Sequence, residues 1–178
     1  MKDLSIDTLN QLIDYDPNTG IFIWKKRDAS FFHNKRIYAS WNGRYAGTNC
    51  GNKGLKTNYI KICVLDNKIY AHIAAWAIMT GEWPNGEIDH INLDRSDNRF
   101  CNLRVATKSQ NASNAKIRKN NKSGFKGVCL DKRRNLWKSE ITLNYKTFFL
   151  GYYSSPIEAH QAYCQSAEKL HGEFARMQ

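Results

Sequence analysis

The chain has 178 residues, 42% of them apolar, and a formal net charge of +11. That length suits one ordinary domain or two to three small ones, and so large a basic excess points to a polyanionic partner, either nucleic acid or an acidic membrane face. No apolar run reaches about 18 residues, so no transmembrane helix is expected, and MKDLSIDTLN lacks the apolar stretch of a secretory signal, so a cytoplasmic protein is expected.

Residues 5 to 14 read as a short amphipathic helix, with Ser5 as cap and Ile6, Leu9, Leu12 and Ile13 at helical spacing. Asp16-Pro17-Asn18-Thr19-Gly20 is a turn, because proline presets φ and glycine permits the left-handed position. Residues 21 to 24 then read as a strand. Residues 27 to 55 are rich in Gly, Asn and aromatics and show poor periodicity, with at most a strand near Tyr45. Residues 59 to 64 are a better strand, which Ile69-Tyr70 follows back antiparallel. Residues 72 to 79 are helical and apolar, with Gly81 as a C-cap. Two strand-like pieces, 87 to 91 and 103 to 107, flank a polar loop, and a polar helix runs from about 108 to 117.

Residues 116 to 126 carry Lys116, Arg118, Lys119, Lys122 and Lys126 with no acidic residue among them, a linker suited to tracking phosphates. Three further strands are expected, at 128 to 130, 136 to 143 and 148 to 151. Ser155-Pro156-Ile157-Glu158 opens a final helix in capping-box order, with Ile157, Ala159, Ala162, Tyr163, Ala167 and Leu170 as its apolar stripe. The five cysteines are widely spaced, and no Cys-x-x-Cys pair exists to suggest a zinc knuckle.

The chemistry gathers between residues 89 and 111. Asp89 and His90 stand side by side, with Asn102 and Asn111 beyond them. A hard cation such as magnesium wants oxygen ligands and keeps several waters. Asp89 offers a carboxylate, and Asn111 offers an amide oxygen if the helix returns beside the first strand. His90 takes a proton near neutral pH without needing a shifted pKa. Neighbours on a regular strand face opposite ways, so Asp89 and His90 can serve one phosphate only at a strand end or a bulge. An Asp-His dipeptide alone usually marks a surface or a turn; the two asparagines, the strand-helix frame and the basic setting give this one its weight. His72 reads as a packing or capping residue, with a substrate or supporting contact as the lesser alternative, and His160 and His171 read as solvent-facing. Asp94, Asp97 and Asn98 read as loop-forming.

Residues 88 to 116, IDHINLDRSDNRFCNLRVATKSQNASNAK, resemble an HNH nuclease of the ββα-metal kind found in phage and intron-encoded endonucleases. YDPNTGIFIWK and YAHIAAWAIMTGEWP resemble the lead-in of phage versions. The resemblance implies that His90 is the general base and Asp89 a metal ligand. It implies that Asn102 pins the loop and helps orient the histidine, and that Asn111 is a second ligand, on the helix. Many members have histidine at that last position; an amide oxygen there favours Mg²⁺, then Mn²⁺, over Zn²⁺. The family's products, with 3′-hydroxyl and 5′-phosphate ends, are implied as well.

Residues 123 to 176 resemble the plant ethylene-response-factor type of DNA-binding domain, through SGFKGV, LWKSEITLNYKTFFLGYYSSPIEAHQAY and AEKLHGEFAR. That resemblance implies a three-stranded sheet in the major groove with a helix behind it. The outward set would be Arg133, Lys138, Glu140, Thr142, Thr147 and Phe149, while Lys132, Arg134 and Lys146 serve phosphates. Cys129 and Asp131 stand where that family often has arginines, so base preference does not carry over.

The expected fold is α+β: an N-terminal β-rich region over 1–66, a ββα-metal finger HNH core over 67–117, a basic linker over 118–125, and a three-stranded antiparallel sheet plus helix over 126–178. The expected function is a metal-dependent DNA endonuclease of phage or intron-encoded homing type. It would hydrolyse phosphodiesters of double-stranded DNA at a preferred sequence, as a monomer or homodimer, with one divalent ion and neither a membrane nor a small-molecule substrate. A DNA-binding regulator with a structural HNH unit is the alternative, and an RNA-binding or RNA-processing factor is a third reading.

Overall fold

Ser5 starts α1 (Ile6–Leu12): its Oγ accepts the Thr8 N–H at 3.1 Å, satisfying one of the orphan donors at the helix start. Leu9 and Leu12 turn into the core. The chain then reverses through β1 (Ile13–Asp16) and β2 (Ile21–Trp24), an antiparallel hairpin that sets Tyr15 opposite Phe22. The computed structural model describes residues 4–177, and the chain divides into two compact units, Met1–Val105 and Ala106–Gln178.

Within the first unit, residues 35 to 45 form a helix, α2 (Lys35–Tyr45), where the sequence suggested at most a strand. Asn34 caps it, with Oδ1 accepting from the Ile37 N–H at 2.9 Å. Ile37, Tyr38, Trp41 and Tyr45 do follow helical spacing. None of the helix's residues is buried, however, so the stripe is shallow and the pattern is diluted by Ser, Asn and Gly. Trp41 packs edge-on against Trp24 at 5.7 Å, and Arg27 lies 3.8 Å over the Trp41 ring.

A three-stranded antiparallel sheet follows, built from β3 (Gly51–Lys53), β4 (Ile60–Val64) and β5 (Asn67–Tyr70) in that spatial order. Leu65 and Asp66, both at positive φ, make the two-residue turn between β4 and β5. α3 (Ala71–Thr80) begins directly after β5 and ends on Gly81 at φ 75°. Its alanines Ala71, Ala74 and Ala75 join Leu9, Leu12, Ile62 and Val64 in one core. Ile88 and Leu103 belong to the same core. They fasten to it the two-stranded sheet of β6 (Glu87–His90) and β7 (Leu103–Ala106).

The second unit begins with α4 (Lys108–Asn114), started by a complete capping box between Thr107 and Gln110. A three-stranded antiparallel sheet follows: β8 (Val128–Asp131), β9 (Leu136–Leu143) and β10 (Lys146–Tyr153), with β9 central. α5 (Pro156–His171) covers one face of that sheet, with Tyr163 and Ala167 packed on Ile141. Gly127 is required here: a Cβ on it would lie 2.0 Å from the Tyr163 ring. The apolar stripe of α5 is narrower than its spacing suggests, since Ile157 is 58% exposed and Leu170 40% exposed. Ser155 caps the helix through Ile157 N–H, but Glu158 accepts from the Ser154 hydroxyl at 2.9 Å instead of completing a capping box. His160 and His171 do not face solvent as expected. His160 Nδ1 lies 3.2 Å from the Lys126 carbonyl oxygen, and His171 Nδ1 lies 3.2 Å from Ser113 Oγ. No described helix is long and apolar enough to cross a membrane.

Candidate active site

His90 is the last residue of β6, and Asp89 precedes it. Each is only 4% exposed. A strand end is where adjacent residues can be turned toward common work, which mid-strand neighbours cannot do. Asp89 Oδ2 accepts from Arg104 Nε at 3.1 Å and Nη2 at 3.0 Å. Arg104 sits on the neighbouring strand β7 and provides the counter-charge that a buried carboxylate needs.

The polar loop between β6 and β7 is tied by its own side chains. Asn102 is its clamp: Oδ1 accepts from Asn92 N–H at 3.0 Å, and Nδ2 donates to Asn92 Oδ1 at 3.0 Å and to the Asp97 carbonyl at 2.9 Å. Asp94 Oδ1 caps Ser96 N–H at 2.9 Å. Asp97 receives Arg99 through a two-pronged contact at 2.8 and 2.6 Å, which holds its pKa down at about 2. Asp94, Asp97 and Asn102 thus organise the loop. Asn98, only 1% exposed, does more: its Oδ1 lies 3.4 Å from His90 Nε2, while its Nδ2 donates to the Ser96 carbonyl at 3.3 Å.

The N-terminal hairpin buttresses this loop from behind. Tyr15 Oη donates to the Asn98 carbonyl at 2.7 Å, and Phe100 N–H donates to the Pro17 carbonyl at 3.0 Å. Gly20, at φ 73°, approaches so closely that a Cβ would stand 2.6 Å from the backbone of Asn98 and Arg99. The turn glycine therefore serves the loop as well as its own hairpin.

A cage of rings closes over His90. His72, from the first turn of α3, lies edge-to-face with it, ring centroids 5.0 Å apart and planes at 76°. Tyr59 is 5.1 Å from His72 and 5.9 Å from His90, and Tyr70 stacks on His72 at 5.4 Å. Burial lowers the pKa of His90, against the opposing pull of the Asn98 contact and of Asp89. Burial, then the neighbouring His90, lowers His72 to about 4. Both rings are therefore neutral near pH 7.

The donor set bears on which ion it fits. Among the described residues, no three of His, Cys, Asp and Glu come together as metal ligands. That does not suit zinc, which is held by three or four such groups. A carboxylate with an amide oxygen suits a hard ion that keeps most of its waters.

The HNH endonuclease family model matches residues 69–113. Protein 3.8 of Escherichia phage T7 is 34% identical over 107 residues, covering 59% of this chain and 87% of that protein. Residues 69–113 are an HNH endonuclease domain. The Uncharacterized HNH endonuclease L560 of Acanthamoeba polyphaga mimivirus is 33% identical over 99 residues, 55% of this chain, and this chain spans only half of its length. The HNH match runs from Ile69 in β5 to Ser113 in α4, so it takes in His72, Asp89, His90, Asn98, Asn102 and Asn111.

The structure places Asp89, His90 and Asn102 together in the first unit, whereas Asn111 lies on α4 in the second. The basic residues divide as well. Lys116, Arg118, Lys119 and Lys122 are exposed along the irregular stretch after α4, and Lys132 and Arg133 are exposed between β8 and β9. Lys126 is half-buried, and its ammonium donates to the carbonyls of Ser113 and Ala115 at the end of α4. Its burial lowers its pKa to about 8. Arg134 pairs with Asp131 at 3.1 Å and donates to Tyr152 Oη at 3.0 Å. Lys138, Glu140 and Thr142 alternate with buried Ser139 and Ile141, which puts them on the sheet face away from α5. Lys138 pairs with Glu140 at 2.8 Å, Thr142 meets Thr147 at 3.1 Å, and Lys146 is exposed at the start of β10.

Arg104 and Tyr59 carry no motif signal in the sequence, where His72 reads chiefly as a packing or capping residue and Asn98 as a loop residue. For Arg104 one signal existed: a charged residue inside a short strand, opposite another strand carrying a buried aspartate, pairs readily across the ladder.

Proposed function

We propose that this chain is a metal-dependent HNH endonuclease that hydrolyses phosphodiester bonds of double-stranded DNA, with its C-terminal sheet reading the DNA. The observation that carries the reading is the buried Asp89-His90 pair at a strand end, inside the span matched by the HNH endonuclease family model. The charge of +11 supports a polyanionic substrate. Likeness to a phage protein and a viral HNH protein supports a phage or viral setting.

His90 takes the proton from the attacking water. Asn98 Oδ1 is an acceptor, and its amide is oriented by the bond from Nδ2 to Ser96, so the hydrogen of the neutral His90 ring sits on Nε2. The proton-accepting lone pair is then on Nδ1. Asp89 and Asn111 are the residues that would hold the ion, magnesium before manganese, by the donor chemistry given above. When bound, the ion supplies Lewis acidity toward the charge that develops on the phosphate and leaving oxygens. Arg104 holds the Asp89 carboxylate in a fixed orientation through two hydrogen bonds to Oδ2. Asn102 and the N-terminal hairpin hold the loop that carries Asn98. In the second unit, Lys116, Arg118, Lys119 and Lys122 follow phosphates, while Lys138, Glu140, Thr142 and Phe149 present the base-reading face in the manner of ethylene-response-factor sheets.

The decisive experiment compares wild type with His90→Ala on double-stranded DNA in Mg²⁺, Mn²⁺ and Zn²⁺. Wild type should cut, fastest in Mg²⁺ or Mn²⁺, and the variant should lose roughly 10²–10⁴-fold in rate while still binding. Binding by both proteins with cleavage by neither, in any metal, would instead establish the DNA-binding regulator.

A further inference from the structure

α2 contributes no buried residue to the core, yet it is firmly held. Asn34 caps its start. Near its end the Asn42 side chain bonds the Arg27 backbone twice, accepting from the N–H at 2.9 Å and donating to the carbonyl at 3.1 Å. The Arg27 guanidinium lies over the rings of Trp24 and Trp41, at 4.9 and 3.8 Å. A helix fixed in this way presents its outer side in a constant arrangement. Two neighbouring lines at helical spacing run along it: Arg36, Ser40 and Arg44, beside Ile37, Trp41 and Tyr45. They line an open groove of about 440 Å³. The charge around this groove has one sign. Residues 29 to 65 contain no acidic residue and carry Lys35, Arg36, Arg44, Lys53, Lys56 and Lys61. Of the cations just before that run, Lys25 donates to the Asn10 carbonyl at 2.9 Å and Arg27 is packed on the tryptophans, so both serve the fold. Lys35, Arg36 and Arg44 are exposed and make no ion pair among the described residues. A second copy of this chain would bring the same cations against them, and an apolar partner would leave them unpaired. A polyanionic backbone satisfies them, with its sugars against Ile37 and Tyr45, which are 47% and 39% exposed.

We propose that the exposed side of α2 is a further DNA-binding surface, carried by the catalytic unit itself, on which Arg36 and Arg44 bind separate phosphates of the duplex backbone. The proposal rests on the nuclease reading and deepens it. The two arginines stand about 12 Å apart along the helix axis, far enough for each to neutralise its own phosphate. Arginine suits the task, because its planar fork bonds two phosphate oxygens at once. Ser40 lies between them and offers a hydroxyl donor to the same backbone. Such contacts carry no base information. They grip the substrate on the unit that holds Asp89 and His90, and take no part in the proton transfer.

The test uses the full chain and a duplex of random sequence, with Ca²⁺ in place of Mg²⁺ so that binding is read without cleavage. The double variant Arg36→Gln, Arg44→Gln should bind on the order of 10-fold more weakly at about 0.1 M salt. Its plot of log affinity against log salt should lose about 1.8 in slope, about 0.9 for each phosphate contact removed. The double variant Arg36→Lys, Arg44→Lys keeps both charges and should keep most of that slope. Ser40→Glu sets a like charge against the backbone and should weaken binding without touching either arginine. Lys169→Gln removes one charge from an exposed position on α5 and should leave the slope as in wild type, unlike Arg44→Gln alone. Thermal unfolding of all these variants should match wild type, since the altered side chains are exposed. Wild-type affinity and slope in the double glutamine variant would overturn the proposal and leave the groove to a protein partner. Equal losses for Lys169→Gln and Arg44→Gln would overturn it too, because net charge alone would then explain them. Ser40→Glu still decides if the double variant fails to fold: binding like wild type would sink the proposal. If wild type binds no duplex, the nuclease reading falls and takes this proposal with it. If wild type binds and, in Mg²⁺, cuts, while the α2 variants bind as it does, only the role of α2 falls.

Discussion

Asn102 in the motif loop and Lys138 on the C-terminal sheet are both polar residues of a proposed DNA-processing surface, yet they are held differently. Asn102 is 6% exposed and makes three side-chain hydrogen bonds within the loop. Lys138 is half-exposed and has one ion pair, to a residue on its own strand. The contrast extends to the neighbours of each. Around Asn102 the loop is wedged against the N-terminal hairpin by Tyr15 and Gly20. Around Lys138 the described polar contacts are short-range ones along and between strands, such as Lys138 with Glu140 and Thr142 with Thr147. A reacting geometry must be held to a fraction of an ångström, whereas a reading surface must stay free to exchange its partners for DNA. The first unit is therefore expected to be intolerant where the second is permissive.

Asn102→Ala should give the largest effect. It strands the Asn92 N–H and the Asp97 carbonyl together in a partly buried loop, and should destabilise the chain by about 3 kcal/mol in urea unfolding. A change below about 1 kcal/mol would mean that the loop is not clamped as described. Acid is the next lever. His72 is neutral when folded down to about pH 4, but takes a proton near 6.5 when unfolded. The unfolded chain thus binds the extra proton between those values, so stability is full above pH 6.5 and falls as pH drops toward 4, by up to about 3 kcal/mol. His72→Phe should remove that slope, and titration of unfolding midpoints for the two proteins isolates it. Gly20→Ala should follow, at roughly 1–3 kcal/mol, because it combines a left-handed φ with a collision against Asn98 and Arg99. Its cleavage rate should fall further than its stability implies, since the displaced backbone carries Asn98.

These residues also show how far the sequence reaches. The strands around the motif, the capped helices and the sheet-plus-helix module follow from periodicity and capping, which are local. Asp89 and His90 stand out because adjacency in sequence placed them together. Gly20 was legible as a turn residue, but not as a wedge, because the backbone it meets is some 80 residues away. The same holds for Tyr15 with Asn98, and for Tyr59 and His72 with His90: each is a contact between elements that the sequence presents separately. α2 was missed for another reason. It buries none of its residues, so the chain has little pressure to write a clear apolar stripe into it.

The smallest effects on folding should come from the open sheet face, and there the comparison is sharpest. Thr142→Ala should change stability by less than about 0.5 kcal/mol, and Arg134→Ala by less than about 1, since its ion pair is solvent-exposed. On DNA the order reverses. Lys132→Ala, at the exposed β8–β9 turn, and Lys146→Ala, at the exposed start of β10, should weaken binding similarly for all sequences and reduce the salt dependence by about one ion per lost phosphate contact. Thr142→Ala, between strands on the reading face, should instead alter which sequences are preferred and leave the salt dependence intact. Measuring affinity against salt for a preferred and a random duplex separates the two behaviours. Equal losses on both duplexes for Thr142→Ala would reduce the sheet to a phosphate-binding surface, and the choice of cleavage site would then have to come from the motif unit itself.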